Sequence, residues 1–268
     1  MSFSTGSNAP HESGHALEVT AVSYVVPFHS DVDRLSRTIE VLRANRTIRR
    51  IGEVLLCHNG RALPMSSLDS LRGRLDPGFE KLLHTEDAGI GAGYRMGISN
   101  AACTHLVLSA SDLPFGFSDL DAFVLEQRRT SQPIPLAIGS KGHCDSRVGP
   151  RPLARRVASL VFFGLRRAML GPLTPRDSQG TFLGLREVLV SLAEECPANG
   201  YLFSLELATA CTHRYRRRIL ELPIRQTQDD GPSSVSLIGE APALLGSLLR
   251  IRKRRLAQRS RSKPPSVA

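Results

Sequence analysis

The stretch that decides the fold is VTAVSYVVPF, residues 19–28. It is a β-branched, almost wholly apolar run, which is typical of a strand buried on both faces of a sheet. Pro27 is expected to end this strand, because proline cannot donate to a ladder. Asp31 then stands where a side chain caps a helix, and residues 33–45 carry apolar side chains at helical spacing.

The same alternation of strands and helices continues outward from this stretch. Further strands are predicted at 53–57, 79–83, 105–109 and 134–138, further helices at 92–102 and 119–128, and, after Leu185, helices at 186–194 and 201–213 with an edge strand at 217–222. This order predicts an α/β domain over residues 18–240, with a mostly parallel central sheet covered by helices on both faces. Ligands of such sheets bind outside the carboxyl ends of the strands.

Composition and charge limit the possible partners. The formal charge is +10, and basic residues concentrate between Arg250 and Lys263. We expect an amphipathic basic helix at 241–256 and disordered ends at 1–17 and 257–268. A basic tail binds anionic lipid or nucleic acid without sequence preference, and no aromatic stacking platform predicts specific nucleic-acid binding.

Cysteine usage and hydropathy indicate the compartment. The five cysteines have no CxxC spacing, which favours reduced thiols in the cytoplasm over zinc or disulfides. No stretch has the pattern of a secretory signal or the length of a transmembrane helix. Any membrane contact is therefore expected to be peripheral.

The segment from Ile138 to Leu185 concentrates arginine around apolar residues. Six arginines lie between Arg147 and Arg167 and flank the run 157–165. That run is shorter than the roughly 20 residues that span a bilayer, but it is long enough for a helix lying in a membrane interface. We expect this segment to hold a phosphate at a lipid surface; the alternative is that the arginines only keep the helix soluble.

Taken in order, the segments at the predicted strand ends resemble those of family-2 glycosyltransferases of the GT-A (Rossmann-like) fold. Residues 27–31 stand at the family's P-x-Y-N-E, 58–61 at D-D-G-S, 89–93 at G-K-G-A-A, 110–113 at the metal-binding D-x-D-L, 139–141 at G-S-R, 145–148 at DSRV, 177–182 at D-T-Q-C-G-F and 203–207 at F-x-x-E-L. The likeness covers residues 19–241. It is greatest to enzymes that transfer glucose or mannose to dolichyl or polyprenyl phosphate.

The resemblance implies an inverting transfer of a hexose from a UDP- or GDP-sugar to a polyprenyl-phosphate acceptor, at an anionic membrane surface. It implies a donor site of Pro27, Phe28, Asp31, His58, Asn59, Gly91 and Ser111. It implies an acceptor-phosphate site of Lys141, Arg147, Arg151, Arg155 and Ser159. It implies a catalytic set of Asp112, Asp177 and Glu206. Mg²⁺ or Mn²⁺ is expected at Asp112, in a weakened site because Ala110 replaces the first aspartate of the motif.

Each assignment has an alternative. Asp112 is equally placed to cap the helix that begins near Ser118, and Asp177 to stabilise its own turn. Glu206 lies on an apolar helical face, so it is expected to meet an arginine or a backbone amide. His58 and Asn59 are neutral where the family has acidic groups. For the whole chain, the alternatives are transfer to a soluble acceptor and a non-catalytic GT-A relative that acts as a binding subunit.

Overall fold

A computed structural model of the protein describes residues 19, 21–130, 132–149, 153–216, 219–227, 245–246 and 248–254. The strands are β1 (Val22–Phe28), β2 (Ile51–Asn59), β3 (Glu80–Thr85), β4 (His105–Leu108), β5 (Leu136–Gly139), β6 (Phe182–Leu185) and β7 (Leu220–Leu222). The helices are α1 (Val32–Asn45), α2 (Met65–Arg72), α3 (Ile90–Asn100), α4 (Ser118–Arg129), α5 (Leu153–Leu170), α6 (Arg186–Ala193) and α7 (Leu202–Tyr215).

The seven strands of the described residues form one sheet in the order β3-β2-β1-β4-β6-β5-β7. The sheet is mostly parallel, as predicted. Only β6 is antiparallel to its neighbours, β4 and β5. The two faces of the sheet carry separate apolar clusters. Side chains of α1, α2 and α4 build one cluster, and side chains of α3, α6 and α7 build the other. The predicted covering of both faces is therefore confirmed.

Proline does not end the first strand. β1 continues through Pro27 to Phe28, in register with Cys57 and His58 of β2. The Val25 carbonyl accepts from Ser109 just as β4 ends, so the same edge of β1 has no partner strand two residues later. The missing N–H of Pro27 consequently interrupts no ladder bond, and the prediction that it stops the strand was wrong.

Two elements were not predicted, and several boundaries moved. β6 and α2 are new, while β2 extends over His58 and Asn59, two residues beyond its predicted end at Cys57. The chain turns directly after them, at Gly60, whose φ is +85°. The predicted helix at 241–256 is helical at 245–246 and 248–254, and its remaining residues lie outside the described part, as do 1–17 and 257–268.

Two further sequence predictions concern the whole chain. All five cysteines are free thiols, as expected. Among the residues that the structure describes, no helix combines the length and the apolarity needed to cross a bilayer.

Candidate functional site

The carboxyl ends of β1–β5 and β7 share one edge of the sheet, where β6 also begins. We call this edge the rim. The loop after β4 carries Asp112, and the loop after β5 carries Lys141. These loops touch, because the Lys141 ammonium lies 5.7 Å from the centroid of the Phe115 ring. The two loops that carry Asp112 and Lys141 are therefore neighbours at the rim.

An arginine lies between two of the predicted acidic residues. Arg34 Nε is 3.1 Å from Oδ2 of Asp31, and Arg34 Nη1 is 3.8 Å from Oδ2 of Asp112. Asp31 also caps α1, as predicted, by accepting the Arg34 N–H at 2.9 Å. The guanidinium thus holds a positive charge beside the expected cation ligand. Sequence reasoning missed Arg34, since it looks like an ordinary exposed residue in a first helical turn.

The turn around Asp112 is shaped by its neighbours. α4 begins after Phe117, so Asp112 is not its cap and that alternative is excluded. The Ser111 carbonyl accepts the Thr38 hydroxyl at 2.6 Å, which ties the turn to α1. Burial and, secondly, the Asp112 carboxylate raise the pKa of Tyr94, which places this phenol near the same carboxylate. Tyr94 was not among the predicted site residues.

Three histidines form a chain across the ends of β1, β2 and β3. His58 Nε2 donates to the His29 carbonyl at 3.0 Å, which leaves Nδ1 to accept from His84 Nδ1 at 2.8 Å. Burial lowers the pKa of His58, whose ring packs on Phe28. Both ring nitrogens are thus engaged, and neither His58 nor Phe28 is exposed to a ligand. In this state they position the exposed His29 and the half-buried His84.

Asn59 and Gly91 serve the backbone next to this chain. Asn59 Nδ2 donates to the Phe28 carbonyl at 3.0 Å, and Asn59 Oδ1 accepts the Gly89 N–H at 3.1 Å. The Gly91 N–H donates to the Asn199 carbonyl at 2.7 Å, and a Cβ on Gly91 would lie 2.5 Å from the Ala198 carbonyl oxygen. The close approach of the loop at 196–200 therefore explains why residue 91 is a glycine, and no bound ligand is needed for that explanation.

The loop after β5 is tied down on the other half of the rim. Ser140 Oγ donates to Glu221 Oε2 at 2.6 Å, and Ser146 Oγ donates to the Ser140 carbonyl at 2.6 Å while accepting from Ile224 N at 2.9 Å. The Lys141 N–H donates to Asp177 Oδ2 at 3.0 Å. The backbone under the predicted phosphate ligands is therefore fixed by side chains from β7 and from the segment before β6.

Asp177 behaves as its turn alternative describes. Its Oδ1 accepts the Gln179 N–H at 2.9 Å, while Oδ2 takes the Lys141 bond. Beneath it lies Arg166, which is 3% exposed and donates from Nη2 to the Arg176 carbonyl at 2.9 Å. Its Nε and Nη1 have no hydrogen-bond partner. Burial lowers the pKa of Arg166, and the Asp177 and Glu221 carboxylates oppose that shift.

The remaining acceptor ligands are only partly described. Arg147 is exposed, and its N–H donates to the Ile224 carbonyl at 2.8 Å, which holds it beside the end of β7. Ser159 lies on an exposed part of α5. Arg151 and the side chain of Arg155 lie outside the described part of the structure.

Glu206 is held by an arginine and by a backbone amide, as its position on an apolar face predicted. Its Oε2 accepts the Ala198 N–H at 2.9 Å, and its Oε1 lies 2.9 Å from Nη1 of Arg254 in the C-terminal helical segment (248–254). The carboxylate therefore links that segment to the loop at 196–200. These contacts are structural, in contrast to the catalytic role that the resemblance implies.

No family model and no curated protein matches the sequence. Solved structures do match the fold. Glucosyl-3-phosphoglycerate synthase from Mycobacterium tuberculosis, in complex with Mn²⁺, UDP and phosphoglyceric acid, aligns with a TM-score of 0.63 at 16% identity, over 95% of this chain and 82% of the synthase. This chain shares the fold of that synthase. The predicted GT-A architecture is confirmed.

Two further complexes of the synthase agree. The complex with Mn²⁺, UDP-glucose and glycerol 3-phosphate gives a TM-score of 0.61 at 14% identity, over 94% of this chain and 87% of the synthase. The complex with Mg²⁺ and UDP gives 0.62 at 15% identity, over 90% and 82%. At this identity the likeness concerns the fold.

The synthase complexes contain Mn²⁺ or Mg²⁺, which raises the question of which side chains of this chain could bind a divalent cation. Within the described ranges, the one group of three close His, Cys, Asp or Glu side chains is His143, Cys144 and Asp145, on an exposed loop. Asp112 belongs to no such group. Among the described residues, Asp112 is thus a single carboxylate at the expected place, which fits Mg²⁺ or Mn²⁺ only when substrate phosphate oxygens and water complete the coordination.

Proposed function

We propose that this chain is a glycosyltransferase that moves a hexosyl group from a UDP- or GDP-sugar to an acceptor bearing a phosphate. One observation carries the proposal: the loop with Asp112 and the loop with Lys141 are in contact at the rim of a GT-A sheet. A donor diphosphate and an acceptor phosphate need neighbouring cationic and metal-binding groups, and this contact joins the two loops that carry such groups.

The residues of the rim divide the work. An acceptor oxygen attacks the anomeric carbon of the sugar, the bond from that carbon to the diphosphate oxygen breaks, and the nucleoside diphosphate leaves with the electron pair. An attacking phosphate oxygen is already ionised, whereas an attacking hydroxyl gives its proton to the departing diphosphate or to water. Lys141 and Arg147 hold the acceptor phosphate, and the tied loop after β5 keeps them in place. Arg34 lies beside Asp112 and faces the charge that develops on the leaving diphosphate.

Asp112 would hold Mg²⁺ or Mn²⁺ together with the donor diphosphate. The bound cation would supply further neutralisation of the leaving group. Because Arg34 already lies 3.8 Å from the same carboxylate, we expect weak binding of the cation alone and tighter binding when the nucleotide is present.

Two acceptors fit this proposal. A small phosphorylated acceptor is supported by the synthase complexes, which contain phosphoglyceric acid or glycerol 3-phosphate. A polyprenyl phosphate, the acceptor implied by the sequence resemblance, is supported by the exposed apolar side of α5. The resemblance also predicts inversion at the anomeric carbon, which NMR of the product would read directly.

A non-catalytic binding role is the second candidate. It is favoured by Ala110 in the metal motif and by the ion pairs that join Arg34 to Asp31 and Asp112. These features leave donor binding possible while removing a metal ligand, so binding and turnover must be measured separately.

Calorimetry with UDP-glucose and GDP-mannose, with and without Mn²⁺, tests donor binding. Transfer assays then use glycerol 3-phosphate, phosphoglycerate and polyprenyl phosphate as acceptors. Asp112→Asn should abolish the Mn²⁺-dependent part of donor binding, whereas Asp69→Asn, on the surface of α2, should leave it unchanged. Binding without turnover for any acceptor would support the non-catalytic role, and no binding of either nucleotide sugar would refute the proposal.

A further inference from the structure

One side of α5 carries apolar side chains that none of the described residues covers. Leu153, Val157, Leu160 and Val161 are 73%, 51%, 70% and 66% exposed. Their spacing places all four on one stripe of the helix. Isolated exposed leucines are common, but four large apolar residues on one stripe form a patch of the kind that marks an interaction site.

The C-terminal helical segment packs near the end of α5 and carries another exposed apolar side chain. Leu248 and Ile251 are buried against Leu170 of α5 and Leu205 of α7. Leu249, on another side of the same segment, is 51% exposed. The segment is thus anchored through its inner residues and by the Glu206–Arg254 ion pair, while Leu249 is displayed outward. We call the stripe of Leu153, Val157, Leu160 and Val161 the apolar surface.

The stretches of sequence that contain α5 and the C-terminal segment carry charge of one sign. Neither residues 146–176 nor residues 241–268 contain an aspartate or a glutamate. Arg156 and Arg167 flank the stripe on α5, and Arg252 and Lys253 are exposed on the C-terminal segment. Long basic side chains can reach past an apolar patch to anionic groups in its plane.

This charge decides between the two simplest occupants. In a two-fold contact between copies of the chain, the same patch would face itself, and its arginine flanks would meet arginine flanks. An anionic lipid surface instead offers an apolar layer to the leucines and valines, and phosphates to the arginines. We propose that the apolar surface docks this protein on an anionic bilayer, with α5 lying in the interface plane.

Docking in this way would place the rim near the membrane. The loop after β5 leaves the rim and leads into α5, so the acceptor half of the site lies next to the docked helix in sequence. A phosphate-bearing lipid would reach Lys141 and Arg147 from the membrane side. The docking itself needs no sugar donor, so it stands or falls separately from glycosyl transfer.

The test is co-sedimentation of the full chain with phosphatidylcholine vesicles, with and without phosphatidylglycerol, in the absence of nucleotide. Binding should need phosphatidylglycerol and should weaken as salt rises. The double variant Leu160→Glu/Val161→Glu should bind at least about ten-fold more weakly, because it removes inserted apolar area and adds charge of the wrong sign. Ile48→Glu, at a residue that is 77% exposed elsewhere, is the matched control and should bind like the wild type.

Circular dichroism and thermal unfolding establish that the variants are folded, and sedimentation velocity reports self-association. Equal vesicle binding by the wild type and the double variant would overturn the proposal. A dimer that the double variant dissociates, without vesicle binding by the wild type, would also overturn it and assign the surface to a second copy. Transfer to a soluble acceptor in either case would leave the proposed function intact.

Discussion

The ion pair between Glu206 and Arg254 supports a prediction about how the C-terminal helical segment is held. Glu206 is 8% exposed and makes two contacts, one with the Ala198 N–H and one with the Arg254 guanidinium. Glu206→Ala removes both. Arg254→Ala removes one and leaves the carboxylate bound to Ala198. The two substitutions should therefore differ in their cost to the free energy of unfolding.

The magnitudes follow from burial. Leaving the Ala198 N–H without its acceptor costs about 1–3 kcal/mol. The contact with Arg254 contributes about 1 kcal/mol, because the arginine side chain is 48% exposed and screened by water. We expect Glu206→Ala to lower the free energy of unfolding by about 3 kcal/mol and Arg254→Ala to lower it by about 1 kcal/mol.

Urea unfolding followed by circular dichroism measures both costs, and limited proteolysis reports release of the C-terminal segment. Arg214→Ala is the control, since it breaks a comparable ion pair with Glu195 that is exposed on both sides. If Glu206→Ala cost no more than Arg214→Ala, the inference that Glu206 holds the segment to the loop at 196–200 would be refuted. Equal costs for Glu206→Ala and Arg254→Ala would show that the Ala198 contact contributes nothing.

Three further predictions concern buried groups and close contacts. Burial raises the pKa of Asp119 to about 6, so the free energy of unfolding of the wild type should fall as pH rises through that value. Asp119→Asn should therefore be more stable than the wild type by about 2 kcal/mol near pH 8 and should lose this advantage near pH 4, as measured by urea unfolding. Both ring nitrogens of His105 are buried without a partner, so His105→Leu should raise the free energy of unfolding by about 1 kcal/mol in the same assay. A Cβ on Gly180 would lie 1.7 Å from the Gly139 carbonyl oxygen, so Gly180→Ala should lower the free energy of unfolding by at least about 3 kcal/mol. A Cβ on Gly164, inside α5, would meet no described atom within 4 Å, so Gly164→Ala should raise the free energy of unfolding by about 0.5–1 kcal/mol. Thermal unfolding measures both changes.

The sheet could be predicted because buried strands and the buried sides of helices show as local patterns of apolar residues in the sequence. β1 and β2 are apolar runs that no exposed strand would carry, and the helices between strands show one apolar side each. β6 was missed since FLGL is short and contains a glycine. Its place between β4 and β5 depends on pairings with residues far away in the chain.

The placement of the strand-end loops could be predicted, but the partners of their side chains could not. The loops that carry Asp112 and Lys141 do touch at the rim, because parallel strands end at one edge. The partners could not be read from the sequence: Arg34 looks like any surface arginine, and Arg166 is one of several in the same stretch. Whether a charged side chain faces water or the interior depends on tertiary packing, which a run of arginines does not encode.

The single reversed strand has a consequence for how this architecture can diversify. β5 ends at the rim with Gly139, and β6 begins there with Phe182 and runs back beside β5. The connecting segment between them, which includes α5, therefore has its two ends held side by side. Exchanging or lengthening this segment costs little loop-closure entropy and leaves the strand order unchanged. If the proposed function holds, selectivity for the acceptor can therefore change independently of the half of the domain assigned to the donor.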